Sequence, residues 1–159
     1  MVIDDIVLAR ALHVLSIVHW IGGVAFVTLV ALPIARASED ARKGWGVFEA
    51  IERRFAAQAR ISIPLAGATG LWMAWRLDLW SRFGEREFWW MDAMVLVWAA
   101  FMAMVFVAEP MLHARVVAEA ARDPAAVIRR LWRVHAVLLA AAAVTILGAV
   151  AGAHGGSFG

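Results

Sequence analysis

The sequence predicts an all-α integral membrane protein, a four-helix bundle with both termini on the periplasmic side. Of its 159 residues, 64% are hydrophobic, and it contains no cysteine. So apolar a composition cannot cover the surface of a soluble globule. Four apolar stretches, roughly 6–35, 61–77, 91–113 and 131–153, alternate with arginine-rich segments. Each is expected to cross a hydrocarbon core, which needs about 20 helical residues.

The helices are expected at about 4–35, 46–77, 88–114 and 124–153, within a single domain covering residues 1–159. An amphipathic stretch over residues 44–60 is predicted to extend helix 2 into the cytoplasm. Pro110 is expected near the end of helix 3. Asp123 and Pro124 are typical of a cap and a first turn, so helix 4 is predicted to begin there. Charged residues precede the first apolar run without a small-residue cleavage pattern, so helix 1 is expected to remain in the mature protein.

The distribution of arginine and lysine predicts the orientation. Eleven of the fifteen basic residues lie in the connections between helices 1 and 2 and between helices 3 and 4. Short basic loops tend to stay in the cytoplasm. The chain is therefore expected to be a multi-pass protein of the bacterial inner membrane. The basic residues follow this membrane frame, and no separate basic surface predicts nucleic-acid binding.

Four histidines fall into two groups by depth. His13 and His19 belong to the outer half of helix 1, whereas His113 and His135 belong to the inner ends of helices 3 and 4. At 100° per residue, His13 and His19 lie about 60° to either side of a line of small residues, so both are expected to flank one bundle-facing groove. His154 follows helix 4 on the outside.

Neutral imidazole is a good axial ligand for heme iron, and helices of a bundle can hold a porphyrin between them. Glu109 is a candidate to orient a ligating imidazole by accepting its second N–H. Heme propionates need cationic partners at the membrane boundary, for which Arg10 and Arg76 on the outside and Arg130 on the inside are candidates. The sequence therefore predicts one or two heme b groups held by His13, His19, His113 and His135.

The stretch ALHVLSIVHWIGG, residues 11–23, resembles the first-helix pattern of the CopD and HemJ families. This resemblance implies a small membrane bundle linked either to copper uptake or to heme, and it implies that His13 is a heme ligand. HemJ proteins place a lysine near the start of helix 3, where this chain has Asp92, Ala93 and Met94. His19 and His135 are additions to the HemJ-like pattern, and they favour an electron carrier over protoporphyrinogen oxidation.

The leading hypothesis is a membrane b-type cytochrome that moves electrons between quinone and a protein or small-molecule partner. Whether it also catalyses a reaction is left open. The alternative is a CopD-like copper-handling protein, in which His13, Met73, Met91 and Met94 bind copper through imidazole and thioether groups. A third reading is a structural subunit whose histidines only form hydrogen bonds. Besides lipid, the small-residue faces of helices 1 and 4 allow a second copy of the chain as a partner.

Overall fold

The computed structural model describes residues 4–154, which form four long helices. They are α1 (Asp5–Ala37), α2 (Ala41–Arg76), α3 (Arg86–Arg122) and α4 (Pro124–Ala153). A short 3-10 turn, Trp80–Arg82, lies between α2 and α3, and α3 itself begins with a 3-10 turn over Arg86–Phe88. α1 packs mainly against α2, and α3 packs mainly against α4, so the fold consists of two contacting helical hairpins. The all-α fold with four helices is confirmed.

α1 and α3 share an irregularity in their inner halves. In α1, a π-helical segment, Val27–Ala31, separates the α-helical segments Asp5–Phe26 and Leu32–Ala37. In α3, the π segment Met104–Ala108 separates Trp89–Ala103 from Glu109–Arg122. A proline follows each π segment at the second position, Pro33 in α1 and Pro110 in α3. The wider π turn accommodates a proline, which lacks the N–H that a regular helix would use.

The helix starts at α2 and α4 are set by aspartate caps. The Asp40 side chain accepts hydrogen bonds from the backbone N–H groups of Arg42 and Lys43, so α2 begins five residues before the predicted position. The Asp123 side chain accepts from the Ala126 N–H, and Pro124 follows in the first turn, as predicted. α3 differs from its predicted end near residue 114, because it continues past Pro110 to Arg122.

Three of the four helices, α1, α3 and α4, are long and apolar enough to span a membrane. α2 is not among them, because its first half is charged and its apolar part contains small residues such as Ala66 and Thr69. These small residues are buried against neighbouring helices, so α2 contributes close packing instead of hydrophobic bulk. A membrane-spanning role for α2 remains a prediction.

The core consists of two apolar clusters at different depths. The first contains Trp20 and Val24 of α1, Ile63 of α2 and Phe101 of α3, and the Trp20 and Phe101 rings meet edge to face with centroids 4.9 Å apart. The second, nearer the α1–α2 connection, contains Val27, Leu32, Phe48 and Ile128. Phe55 of α2 packs against both clusters and joins them. These contacts fix the rotation of α1 and decide which of its histidines faces α2.

Candidate functional site

His13 is the predicted site residue with the most extensive contacts to another helix. Its ring is partly buried, and its Nδ1 lies 2.8 Å from the Ala66 carbonyl oxygen and 3.2 Å from Thr69 Oγ1, both on α2. Gly70 leaves room for the ring: a Cβ at that position would lie 3.0 Å from His13 Cε1. The α2 backbone therefore forms a shaped seat for this imidazole.

The bond to Ala66 determines the tautomer of His13. A carbonyl oxygen can only accept, so Nδ1 must carry the proton and donate it. In the neutral ring, Nε2 then keeps its lone pair. A histidine that donates Nδ1–H to a backbone carbonyl and offers Nε2 is the usual arrangement of a metal or heme ligand. His13 is thus oriented and protonated as a ligand would be.

His135 on α4 shows the same chemistry in a different setting. It is partly buried, and its Nδ1 lies 2.9 Å from the carbonyl oxygen of Leu131, one turn earlier in the same helix. Nδ1 is therefore the donor, and Nε2 is again left with a lone pair. His154, at the end of α4, makes the corresponding bond of 2.8 Å to Val150, but its side chain is exposed.

His19 and His113 are exposed and form no hydrogen bond with any residue in the range 4–154. The expectation that His13 and His19 flank one bundle-facing groove is not met, since only His13 lies against α2. Nor do His, Asp and Glu side chains converge in groups of three that could hold a metal ion, within the part of the chain that the structure describes.

Glu109 has a different partner from the predicted imidazole. Its Oε1 forms an ion pair of 2.8 Å with Arg60 of α2. Glu52 lies within electrostatic range of this pair and of His113, and burial raises the pKa of Glu52, with a further increase from the Glu109 carboxylate. These residues form a polar cluster where α2 meets α3. Sequence reasoning did not single out Glu52, because its place in an amphipathic, charged stretch is typical of a solvated face.

Two of the three predicted propionate partners are engaged in ion pairs. Arg76 at the end of α2 pairs with Asp5 at the start of α1, with Nε and Oδ2 2.9 Å apart. Arg130 pairs with Glu119 at 3.2 Å. Arg10 is exposed, forms no ion pair among the described residues, and lines a shallow apolar groove on α1. It is the one cation of the three available for an external anion in the described range.

The methionines of the copper alternative are partly buried near the outer ends of α2 and α3. Met73 lies on α2 one turn beyond Thr69, which contacts His13. Met91 and Met94 belong to the first turns of the α-helical part of α3. Of the predicted copper set, Met73 is therefore the residue that shares a helix face with the His13 seat.

Sequence reasoning missed the α2 side of the His13 seat, namely the Ala66 carbonyl and the Thr69 hydroxyl. Thr69 also lies 2.7 Å from the Leu65 carbonyl, so its hydroxyl is held in place within α2. A threonine beside a glycine in an apolar helix is the only local signal for such a seat. No family model, curated protein or solved structure matches this chain.

Proposed function

We propose that this chain is a multi-pass protein of the bacterial inner membrane that holds heme b through histidine and passes electrons. In this proposal all four helices span the membrane and both termini lie outside. The long apolar helices α1, α3 and α4 support the membrane placement, and the eleven basic residues near the two inner connections support the orientation. α2 is carried across by its close packing against α1.

The observation that carries the proposal is the hydrogen bond from His13 Nδ1 to the Ala66 carbonyl oxygen. It fixes an imidazole in the outer half of the bundle with Nε2 unprotonated, which is the form that binds iron. His135 offers a second Nε2 of the same kind. Bound heme supplies reversible one-electron exchange, and the protein residues orient the ligands and exclude water.

The depths of His13 and His135 indicate two separate heme sites. His13 lies eight residues below the outer start of α1, about 12 Å along the axis, and His135 lies 18 residues below the outer end of α4, about 27 Å. Two axial ligands of one iron must approach it from opposite faces of a single porphyrin. A depth difference of about 15 Å is too large for that. Quinone dissolved in the bilayer and a protein or small molecule at either surface are the proposed electron partners.

The test is an absorption spectrum of the purified protein, oxidised and dithionite-reduced, with pyridine-hemochrome quantification per chain. His13→Ala and His135→Ala are expected each to remove about half of the heme if two sites exist. His154→Ala is the matched control, because its ring makes the same Nδ1 bond but is exposed. A colourless protein after heme-supplemented expression, or heme retained in both variants, would contradict the proposal and favour the structural reading.

The second candidate is copper handling, favoured by the position of Met73 one turn from the His13 seat. A neutral imidazole and a thioether suit Cu(I). The measurement is Cu(I) affinity by competition with a chromophoric chelator in the purified, heme-free protein. Met73→Ala is expected to weaken binding under this candidate, whereas Met111→Ala, at a residue 71% exposed on α3, serves as the control. Equal affinities would exclude Met73 as a ligand.

A further inference from the structure

His19 lies deep in α1 and faces away from the rest of the protein. It is 14 residues from the start of the helix at Asp5, about 21 Å along the axis. The side chain is exposed, and it has no hydrogen-bond partner in the described range. With α1 placed in the membrane, the polar ring would meet hydrocarbon, where an unpaired donor and acceptor are costly. Another molecule must satisfy it.

The surroundings of His19 form a regular pattern on the exposed side of α1. Residues spaced alternately by four and three positions make up one stripe: Leu8, Leu12, Leu15, His19, Gly22 and Phe26. At 100° per residue these six positions fall within an arc of about 80°. All except Leu12, which is partly buried, are exposed. This spacing is that of the seam of a two-stranded coiled coil. The π segment that starts at Val27 ends the stripe.

Gly22 gives the stripe a notch one turn below His19. A Cβ at Gly22 would meet nothing within 4 Å, so the glycine is not needed for packing inside this chain. Glycine at a membrane helix surface allows a second backbone to approach closely. The notch therefore has a use between molecules that it does not have within one.

The occupant that the stripe fits is a second copy of the same helix. Copies of one chain insert into a membrane in the same orientation, so their α1 helices run parallel. In a parallel pair, each seam residue meets its own counterpart. Neutral imidazole has one donor and one acceptor, so two facing His19 rings can satisfy each other, one donating and the other accepting.

We infer that α1 forms a parallel homodimer through the stripe of Leu8, Leu12, Leu15, His19, Gly22 and Phe26, with the two His19 side chains in contact. The inference rests on the membrane placement proposed above and not on heme or copper binding. The dimer can therefore exist even if the protein proves colourless.

The test is disulfide crosslinking in intact membranes, for which the cysteine-free chain needs no prior changes. Leu15→Cys and His19→Cys are expected to form covalent dimers under mild oxidation at least fivefold faster than Val14→Cys and Val18→Cys. The controls are matched, because Val14 is 54% and Val18 64% exposed at nearly the same depths, but they lie about 80–100° away from the neighbouring stripe residues. Equal rates at all four positions, or no dimer at any, would overturn the inference.

A second measurement is the dimer affinity in detergent by sedimentation equilibrium. His19→Ala is expected to weaken association about threefold to twentyfold, the range for side-chain hydrogen bonds inside membranes. Gly22→Leu fills the notch and is expected to abolish the dimer, whereas Val18→Leu is expected to leave it intact. A monomeric wild-type protein would overturn the inference, and so would loss of a chromophore in His19→Ala, which would assign the ring to a cofactor.

Discussion

Gly23 of α1 packs directly against the ring of Phe55 on α2, in space that a side chain would need. Its neighbour Gly22 faces open surroundings. Two adjacent glycines thus have opposite roles, one inside the fold and one on its surface. Because Phe55 joins the two core clusters, the contact at Gly23 couples the outer and inner halves of the bundle.

Gly23→Ala is expected to lower the free energy of unfolding by about 1–3 kcal/mol, because the added methyl group overlaps the Phe55 ring. Gly22→Ala is expected to change it by less than about 0.5 kcal/mol, the range for surface substitutions. The measurement is unfolding in mixed micelles with increasing SDS, followed by circular dichroism. Similar losses in the two variants would show that helix propensity, and not the contact with Phe55, is responsible.

Gly70→Ala is expected to displace the His13 ring, since the new Cβ would lie 3.0 Å from Cε1 and 3.4 Å from Nδ1. If His13 binds heme, affinity should fall about tenfold, as for other changes beside a ligating histidine. The measurement is a heme titration of the purified apoprotein. Gly46→Ala, where a Cβ meets nothing within 4 Å, controls for the substitution itself. An unchanged affinity would argue against His13 as the ligand.

Ser62→Ala is expected to raise the free energy of unfolding by up to about 1 kcal/mol, because it removes a buried hydroxyl that has no hydrogen-bond partner among the described residues. Thr69→Val is the contrasting change of similar size. Its hydroxyl lies 2.7 Å from the Leu65 carbonyl oxygen and 3.2 Å from His13, and its loss is expected to cost about 0.6 kcal/mol. Destabilisation by Ser62→Ala would reveal a partner for this hydroxyl, such as a buried water.

The stability of the protein is expected to depend on pH through Glu52. Burial raises its pKa above the ordinary value of 4.5, so the carboxyl of the unfolded chain ionises first as the pH rises. The stabilising contribution of neutral Glu52 is complete below pH 4.5 and is lost as the pH rises through the higher pKa in the fold. Glu52→Gln stays neutral and is expected to gain in melting temperature over the wild type across that range.

The control for this measurement is Glu39→Gln, which removes the same charge at an exposed position near the α1–α2 connection. Melting is followed in detergent between pH 4 and 8. A constant difference between Glu52→Gln and the wild type over that range would show that Glu52 does not change its ionisation on folding.

Hydropathy and cap residues predicted the number of helices and the start of α4 at Pro124, because these features depend on local chemistry. The end of α3 was wrong for a similar reason in reverse. Proline near the end of an apolar run is typical of a helix end, but the π segment before Pro110 lets α3 continue to Arg122. The backbone adjustment that allows this has no distinct composition.

The rotation of α1 was beyond the sequence. A line of small residues between His13 and His19 predicted that both would face the bundle. The actual contact face is set by α2, through the Phe55 ring against Gly23 and the Ala66 carbonyl against His13. A helical wheel gives relative angles along one helix, but the partner helix decides which angle points inward.

The π segments in α1 and α3 also separate the evolution of the two ends of each helix. Removing a single residue from Val27–Ala31 would return that turn to ordinary α geometry and swing everything after it by about 100° about the helix axis. The same holds for Met104–Ala108. Arg36 and Glu109, which follow these segments, can therefore be re-aimed by a change in chain length, while the outer half of each helix keeps its partners.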